Sequence, residues 1–291
     1  MSKFGFLNGV QRYKCASCNI IFIDRIKLDP NIIWQEYIKG KQTYLQLSIK
    51  YCCSIKTIQR KIDDVNVCLE NTFPWIVNLL MDTTYFGRKF GVMVFKDSIS
   101  GQILLKQYVK TETNLLYLSG VEIITKRGIK IQSIICDGRK GLMKLFGVEI
   151  PVQMCNFHQV AIIRRYLTMN PKMQASKELW KITLLLTKTC KEIFESRLQV
   201  WHTQWESFLN EQKIDQKGKK RYVHKRLRSA YRSLKTNLPV LFTWDLNRPL
   251  NIPKTTNAID GHFADLKNKL RNHNGLSESR KKKFIDEFFK A

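Results

Sequence analysis

The sequence predicts a mixed α/β fold, in which a mixed β-sheet carries a large all-helical insertion and follows a small helix-turn-helix domain. Two observations predict it. Between residues 74 and 155, short apolar runs are bounded by Gly, Asp or Lys, as strands usually are. These runs read WIVNLLMD, FGVMVFKD, ILLKQYV, IQSIICD and VQMC. From residue 156 to 237 the apolar spacing is helical instead, and we expect no strand there.

The order of these segments predicts the sheet. The first three runs can pair as a meander, and a helical stretch, LLYLSGVEIITKRG, precedes the fourth run. A further helix leads to the fifth run, so parallel strands with helical connections are expected beside the meander. A Pro-bearing loop (Pro239, Pro249, Pro253) should follow the helical block, and a last helix should begin near Thr255.

Composition restricts the function classes. The chain has 291 residues, with 50 Lys and Arg against 24 Asp and Glu, which gives a net charge of +26. A hydrophobic fraction of 44% argues against disorder. No apolar run suggests a membrane span or a signal peptide, so we expect no membrane partner. The strong positive charge predicts a polyanionic partner, above all nucleic acid. The eight Cys lie in apolar segments, which indicates buried thiols in a reducing, cytoplasmic protein.

A helix-turn-helix is predicted over residues 42–65. Tyr44, Leu47 and Tyr51 share one helix face, and Ser54 is a good N-cap for a second helix. In that second helix one face is apolar (Ile55, Ile58, Ile62, Val65). The opposite face is polar and basic, as reading of the DNA major groove requires, and consists of Lys56, Thr57, Gln59, Arg60 and Lys61. The alternative is an ordinary helical hairpin with a solvated face.

Cys15 and Cys18 have the spacing of one half of a zinc ribbon. A structural zinc site needs four ligands, and no Cys or His precedes Cys15. The next pair, Cys52 and Cys53, lies inside the predicted turn. We therefore expect at most a partial site without zinc.

Three acids stand where chemistry could use them. Asp82 and Asp137 end the first and fourth runs, and Asp260 lies on the last predicted helix. Carboxylates that end buried strands are costly to desolvate, and a converging group of them calls for divalent cations. The alternative is that they cap turns, as Asp137 before Gly138 easily could. Cys155 and His158 follow the fifth run, and by themselves they indicate a buried thiol and a helix-start histidine.

The segment 213–235 is strongly basic and contains one acid, Asp215. Such a run can be a solvated face, but like charges this dense favour contact with phosphates. The expected contacts are Lys219, Lys220, Arg221, Lys225, Arg226 and Arg228.

With these motifs in this order, the chain resembles bacterial insertion-sequence transposases of the DDE type, in the Mutator-like group. MDTTYFG resembles the block of the first catalytic Asp, ICDGRKGL that of the second, and TTNAIDGHFADLKNKLRNHNGLS that of the third acid. MCNFH matches the family's Cys-x-x-His signature, and KQTYLQLSIKYCCSIKTIQR its helix-turn-helix. The resemblance implies a ribonuclease H-like core. It assigns 1–24 to a partial zinc-ribbon remnant, 25–70 to the helix-turn-helix domain and 74–291 to the catalytic domain, with the insertion at about 160–250.

The resemblance also implies an activity. Asp82, Asp137 and Asp260 would hold two Mg²⁺ or Mn²⁺ for phosphodiester hydrolysis and strand transfer. The substrate would be double-stranded DNA, as terminal inverted repeats and as target. Cys155 and His158 would support the site structurally. A homodimer or higher assembly on DNA, in the nucleoid-containing cytoplasm of a bacterium, is implied.

Two features depart from the family. The third acid is normally Glu and here is Asp260, one methylene shorter, and the first half of the zinc ribbon is missing. They favour an alternative, a decayed copy that only binds DNA. A ribonuclease H-like nuclease acting on structured nucleic acid is a further alternative, but it leaves the helix-turn-helix unexplained.

Overall fold

The structure is a computed structural model that describes residues 1–7, 9–23, 28–66, 73–146, 149–214, 216, 218–273 and 275–290. Three residues of the sequence analysis lie outside these ranges: Cys68, one of the eight Cys, and Asp215 and Lys217 of the basic segment 213–235. The chain forms two compact units. Met1–Leu69 and Lys267–Lys290 make up the first unit, and Glu70–Leu266 the second.

The first unit begins with a small antiparallel sheet and three helices. The strands are β1 (Ser2–Leu7), β2 (Val10–Lys14) and β3 (Ile21–Phe22), in that order. The helices are α1 (Pro30–Ile38), α2 (Tyr44–Lys50) and α3 (Ile55–Asp63). Each has a side-chain N-cap, from Asp29, Thr43 and Ser54 respectively, so Ser54 caps α3 as predicted.

Burial along α3 follows the predicted face with one exception. Ile58, Ile62 and Val65 are buried, whereas Ile55 in the first turn is 41% exposed. Burial of the predicted apolar face therefore begins at Ile58, one turn into the helix.

The second unit is built on a five-stranded sheet. Its elements are β4 (Ile76–Phe86), β5 (Phe90–Asp97), β6 (Ile103–Val109), α4 (Asn114–Lys126), β7 (Lys130–Cys136), a 3₁₀ helix (Leu142–Phe146) and β8 (Val152–Met154). The strand order is β6-β5-β4-β7-β8. The first three strands pair antiparallel, and β4–β7 and β7–β8 pair parallel. This is the ribonuclease H-like arrangement, so the predicted fold class is confirmed.

Side chains alternate between the two faces of β4. Val77, Leu79 and Met81 point into a core that α4 covers with Tyr117, Val121 and Ile124, among others. Burial of each large apolar side chain in this core contributes about 1.5–3 kcal/mol. Residues of the opposite parity, including Asp82, therefore belong to the other face.

The insertion is helical with one departure from the prediction. Its elements are α5 (Asn156–Leu167), α6 (Gln174–Thr183), α7 (Lys191–Asn210), β9 (Gln212–Ile214), β10 (Lys220–Tyr222), α8 (Lys225–Leu241), α9 (Thr243–Leu246) and a 3₁₀ turn (Arg248–Leu250). The pair β9–β10 is a short antiparallel hairpin, so "all-helical" is wrong for this segment. Its strands are three residues long and mostly exposed, too short to show an alternating pattern.

Pro239 lies inside α8, although the sequence places it in a loop. It is close to the helix end, where fewer backbone hydrogen bonds are lost.

The last two helices are α10 (Asn257–Arg271) and α11 (Glu278–Phe288). α11 packs within the first unit, where the ring of Phe284 lies 5.9 Å from that of Tyr37. His273 completes this aromatic cluster, 4.2 Å from Tyr37. The C-terminal segment, which the sequence resemblance assigns to the catalytic region, thus belongs with the N-terminal helices. No helix within the described residues is both long and apolar enough to span a bilayer.

Candidate active site

Asp82 lies within β4 rather than at its end. The strand continues to Phe86 because Thr83–Phe86 pair with the start of β5, and Asp82 itself is opposite Val94. The backbone N–H of Thr83 donates to Asp82 Oδ1 at 2.7 Å. The carboxyl group is half-buried on the sheet face that α4 does not cover.

Asp137 comes directly after β7. The parallel register pairs Leu80 with Ile135, so Asp82 and Asp137 each follow a paired residue by two positions at the same edge of the sheet. The N–H of Arg139 donates to Asp137 Oδ1 at 3.1 Å. Asp137 therefore caps this turn, which is the alternative that the sequence left open. The capping bond uses Oδ1 and does not involve Oδ2.

Asp260 lies in the first turn of α10. The hydroxyl of Thr256 donates to Asp260 Oδ2 at 3.3 Å, and the N–H of Asp260 donates to the Thr256 carbonyl at 3.2 Å. The N–H of Thr256 also donates to Cys155 Sγ at 3.3 Å, and the Thr256 hydroxyl oxygen lies 3.4 Å from the same sulfur. These bonds tie the start of α10 to the start of α5.

Cys155 and His158 open α5. The N–H of Cys155 donates to the Cys136 carbonyl at 2.8 Å, which holds the segment at the end of β7. As a result, ligand atoms of Asp82, His158 and Asp260 all lie within 4.8 Å of one another. We name these three residues the acidic–histidine cluster. Asp137 is not one of its members.

The position of His158 is the feature that the sequence motifs did not predict. They gave this residue a structural role, but the ring lies among the predicted acids. The signal was present: the Cys-x-x-His motif comes directly after β8, and the parallel β7–β8 pairing places that motif at the same sheet edge as Asp137.

The electrostatics of the site are those of crowded, half-buried acids. Burial, together with the negative charges of Asp260 and Asp137, raises the pKa of Asp82 to about 7, against the opposing effects of the Thr83 N–H and of His158. A hydrogen bond with Cys155 raises the pKa of His158 to about 9, more than burial lowers it, and Asp82 and Asp260 add to the rise. Burial opposes ionisation of Cys155, but hydrogen bonds from His158 and Thr256 outweigh it and lower the thiol pKa.

The donor set fits a divalent cation. Two carboxylates and one imidazole are ligands for Mn²⁺, and carboxylates with water suit Mg²⁺. His158 Nδ1 is buried and has no hydrogen-bond partner, so a ring nitrogen is available as a ligand. A cation here would also relieve the repulsion between the carboxylates.

Cys15 and Cys18 lie in the turn between β2 and β3. A hydrogen bond from Ser17, together with backbone N–H groups, lowers the pKa of Cys15 to about 6. Both thiols are free. Within the described part of the chain they belong to no group of three or more potential metal ligands.

The predicted DNA contacts have different surroundings. On α3, Lys56 and Arg60 are exposed, while Thr57, Gln59 and Lys61 are half-buried. The side chain of Thr57 is hydrogen-bonded within the helix cap, because its Oγ1 lies 2.9 Å from the capping hydroxyl of Ser54. The remaining predicted contacts lie on the hairpin and the start of α8, and five of them are exposed: Lys219, Lys220, Arg221, Lys225 and Arg226.

Arg226 and Arg228 also bind within the protein. Arg226 donates to the Arg165 carbonyl, and Arg228 donates to the Leu209 carbonyl while its guanidinium covers the ring of Tyr222 at 3.6 Å. Arg228 is therefore partly structural.

Between α7 and α8 is a groove of about 250 Å³. Arg228, Arg232 and Lys235 line it on α8, and His202 and Glu206 line it on α7. Three cations against one carboxylate make this groove electropositive. Arg232 and Lys235 have no ion-pair partner within the described residues.

No protein-family model matches the chain, and no curated protein matches it significantly. Solved structures with distant likeness to the chain include the following three. The integrase catalytic core domain of HTLV-2 with magnesium, in its dimeric form, is 18% identical, with a TM-score of 0.23 over 38% of this chain and 82% of that one. Its trimeric form is 16% identical, with a TM-score of 0.22 over 50% and 90%. A chain of the simian T-cell lymphotropic virus intasome in complex with PP2A regulatory subunit B56 gamma is 14% identical, with a TM-score of 0.23 over 53% and 67%. At these values the fold rests on the strand order, and the chemistry rests on this chain's own residues.

Proposed function

We propose that this chain is a DNA transposase of the DDE type, similar to the Mutator-like insertion-sequence enzymes, which hydrolyses phosphodiesters at element ends and transfers the freed strand to target DNA. One observation carries the proposal. Asp82, His158 and Asp260 converge within 4.8 Å at the edge of a ribonuclease H-like sheet, and Asp137 is close enough to raise the pKa of Asp82. Perturbed acids that converge on a buried patch are typical of catalytic sites.

The side chains have distinct roles in this proposal. Asp82 and Asp260, with His158 as a further ligand, would hold one Mg²⁺ or Mn²⁺, and Asp82 and Asp137 would hold a second. Bound divalent cations supply Lewis acidity at the phosphodiester and lower the pKa of an attacking water. Thr256 keeps the Asp260 carboxylate in place through its hydroxyl. Cys155, which accepts from the N–H of Thr256, keeps the two helix starts together.

The convergence of these side chains also addresses whether Asp260, one methylene shorter than Glu, can reach the cation site. Asp260 lies within reach of the other two members of the cluster despite the missing methylene. This supports an active three-Asp enzyme over the alternative, a decayed copy that only binds DNA.

DNA contacts are proposed on both units. The exposed Lys56 and Arg60 of α3 would read element ends in the major groove. The basic hairpin, the start of α8 and the groove lined by Arg232 and Lys235 would hold the DNA backbone. Two element ends must be held together, so a homodimer or higher assembly on DNA is part of the proposal, in the cytoplasm beside the nucleoid.

The test is metal-dependent cleavage and strand transfer on DNA that carries the element's ends. Wild type should give products with Mg²⁺ or Mn²⁺, and Asp82→Asn should lose them, by at least about 10²-fold. Asp260→Glu tests whether the shorter third acid limits activity. His158→Gln tests whether His158 contributes as a further cation ligand. Asp265→Asn, an exposed acid on the same helix, is the matched control and should keep activity.

The outcomes separate the alternatives. Inactive wild type with active Asp260→Glu would mean an intact fold with an impaired third ligand. Inactivity of all variants with retained binding to element ends would favour the DNA-binding protein. Cleavage without preference for element ends would favour a structure-specific nuclease.

A further inference from the structure

Lys96 is a buried lysine near the end of β5 in the five-stranded sheet. It lies on β5 and is 5% exposed. The antiparallel register pairs Leu80 with Lys96 and Asp82 with Val94, so Lys96 is on the same face of the sheet as Asp82. Removing an ammonium group from water is costly, and lysines are rarely buried without a specific contact.

The contact of Lys96 is with the first turn of α10. Its Nζ donates to the Ala258 carbonyl at 3.2 Å and lies 3.3 and 3.4 Å from the ring nitrogens of His262. Burial lowers the pKa of Lys96, and burial together with the charge of Lys96 lowers the pKa of His262. Within the described residues no carboxylate pairs with Lys96, so the lysine does not serve as one half of a buried ion pair.

The two residues that Lys96 contacts lie on either side of Asp260, a member of the acidic–histidine cluster. Ala258 precedes Asp260 by two positions and His262 follows it by two. Thr256, directly before α10, donates from its N–H to Cys155, the N-cap residue of α5. These contacts fasten the turn to the start of α5 through Thr256 and to the sheet through Lys96. Both fastenings lead to elements that carry the other two cluster residues, α5 with His158 and the sheet with Asp82.

We propose that Lys96 is a positioning residue that fixes the first turn of α10 to the sheet, so that the Asp260 carboxylate meets Asp82 and His158 at the cation site. This inference rests on the proposed function for the meaning of the site. The hydrogen bond fixes backbone rather than side chain, so it constrains Asp260 without touching it. A lysine can do this from the sheet because its long side chain spans the distance between the strand and the helix.

Lys96→Met tests the inference, since methionine nearly keeps the shape and removes the donor. Two quantities are measured, Mn²⁺ affinity by calorimetry and amide hydrogen exchange over residues 257–262. We expect about tenfold weaker Mn²⁺ binding and about tenfold faster exchange in this turn, with DNA affinity unchanged. Arg127→Met is the matched control. Arg127 is a cation that donates to a carbonyl, that of Leu104, and it precedes β7, at the opposite end of that strand from Asp137. It should change neither quantity.

A double-mutant cycle with Asp260→Asn separates positioning from general weakening. If Lys96 acts through Asp260, adding Lys96→Met to Asp260→Asn costs no further Mn²⁺ affinity. Additive losses, or faster exchange with wild-type Mn²⁺ affinity, would overturn the inference. If Lys96→Met does not fold, as judged by thermal unfolding, Lys96→Gln replaces it, because its shorter amide stays polar but cannot span the distance to Ala258. Wild-type protein that binds no Mn²⁺ would instead overturn the proposed function, and the exchange data would still report whether the turn is fastened.

Discussion

Arg280 on α11 donates two hydrogen bonds to the carboxylate of Asp63 at the end of α3, with N···O distances of 2.9 and 2.6 Å. Beside it, Lys283 Nζ donates to the carbonyls of Ile62 and Asp63, at 2.6 and 2.7 Å. A cation at unpaired carbonyls of a helix C-terminus stabilises that helix. The C-terminal helix therefore closes the end of the helix that we propose to read DNA.

Arg280→Gln and Lys283→Met should each lower the free energy of unfolding of the first unit by about 1 kcal/mol, a modest value because both pairs are partly exposed. Urea unfolding measures it. Lys282→Gln is the control, because Lys282 forms its ion pair with Glu278 on α11 itself. Equal losses in all three variants would contradict a special role for the contacts with α3.

Stability of the first unit should depend on pH through His273. Burial lowers the pKa of this histidine, which lies against Tyr37 and Phe284. The unfolded chain then binds the proton more readily than the folded one, so the free energy of unfolding falls as pH drops below about 6.5. His273→Phe should weaken this fall. Unfolding at pH 7.5 and 5.5 checks it, and identical pH slopes for both proteins would refute it.

Mn²⁺ binding should release protons. Asp82, with a pKa of about 7, and His158, with a pKa of about 9, must both lose a proton to act as ligands. Binding should release about two protons at pH 6 and about one at pH 8, and affinity should rise with pH. Calorimetry in buffers of different ionisation enthalpy measures the number. In His158→Gln the release at pH 8 should disappear. Release that does not change with pH would contradict the ligand assignment.

Gly120 is required by packing in the core of the second unit. A Cβ at this position of α4 would lie 2.0 Å from the buried ring of Phe95. Gly120→Ala should therefore destabilise the second unit by about 1–3 kcal/mol, despite the better helix propensity of alanine. Gly261→Ala on α10 is the control, since its Cβ would meet open space, and it should be neutral or stabilising by up to about 1 kcal/mol. Thermal unfolding compares the two.

The groove between α7 and α8 should contribute phosphate contacts. Replacing Arg232 and Lys235 together by Gln should reduce the slope of log K against log salt for DNA binding by about 1.8, or about 0.9 for each lost contact. Lys177→Gln, which changes an exposed lysine of α6, should leave the slope unchanged. Fluorescence anisotropy over a range of salt concentrations measures it, without divalent cations. An unchanged slope in the double variant would exclude the groove as a DNA contact.

The sequence predicts the sheet well because its information is local. Apolar runs and their order fix which strands exist, and the parallel edge then brings together the residues that come directly after β7 and β8. Lys96 shows the limit of such patterns. It stands beside Asp97 at the end of an apolar run, where charged residues usually reach water, and only tertiary packing decides that its side chain is covered. The same holds for α11, whose amphipathic pattern predicts a helix but not its partner. The short β9–β10 hairpin is not predicted for a different reason. Each of its strands has only three residues, mostly exposed, which is too few to show an alternation of apolar and polar side chains.

The division of the first unit between the two ends of the chain has a consequence during synthesis. α3 is made early, whereas α11, which caps it through Lys283, leaves the ribosome only after the whole five-stranded sheet. At roughly 5–20 residues per second, the interval is on the order of ten seconds or more. A nascent chain thus completes its five-stranded sheet before the proposed DNA-reading helix is fully stabilised. The proposed binding of α3 to DNA would then reach its full strength after translation has passed α11, so that full engagement with the genome follows synthesis of the chain.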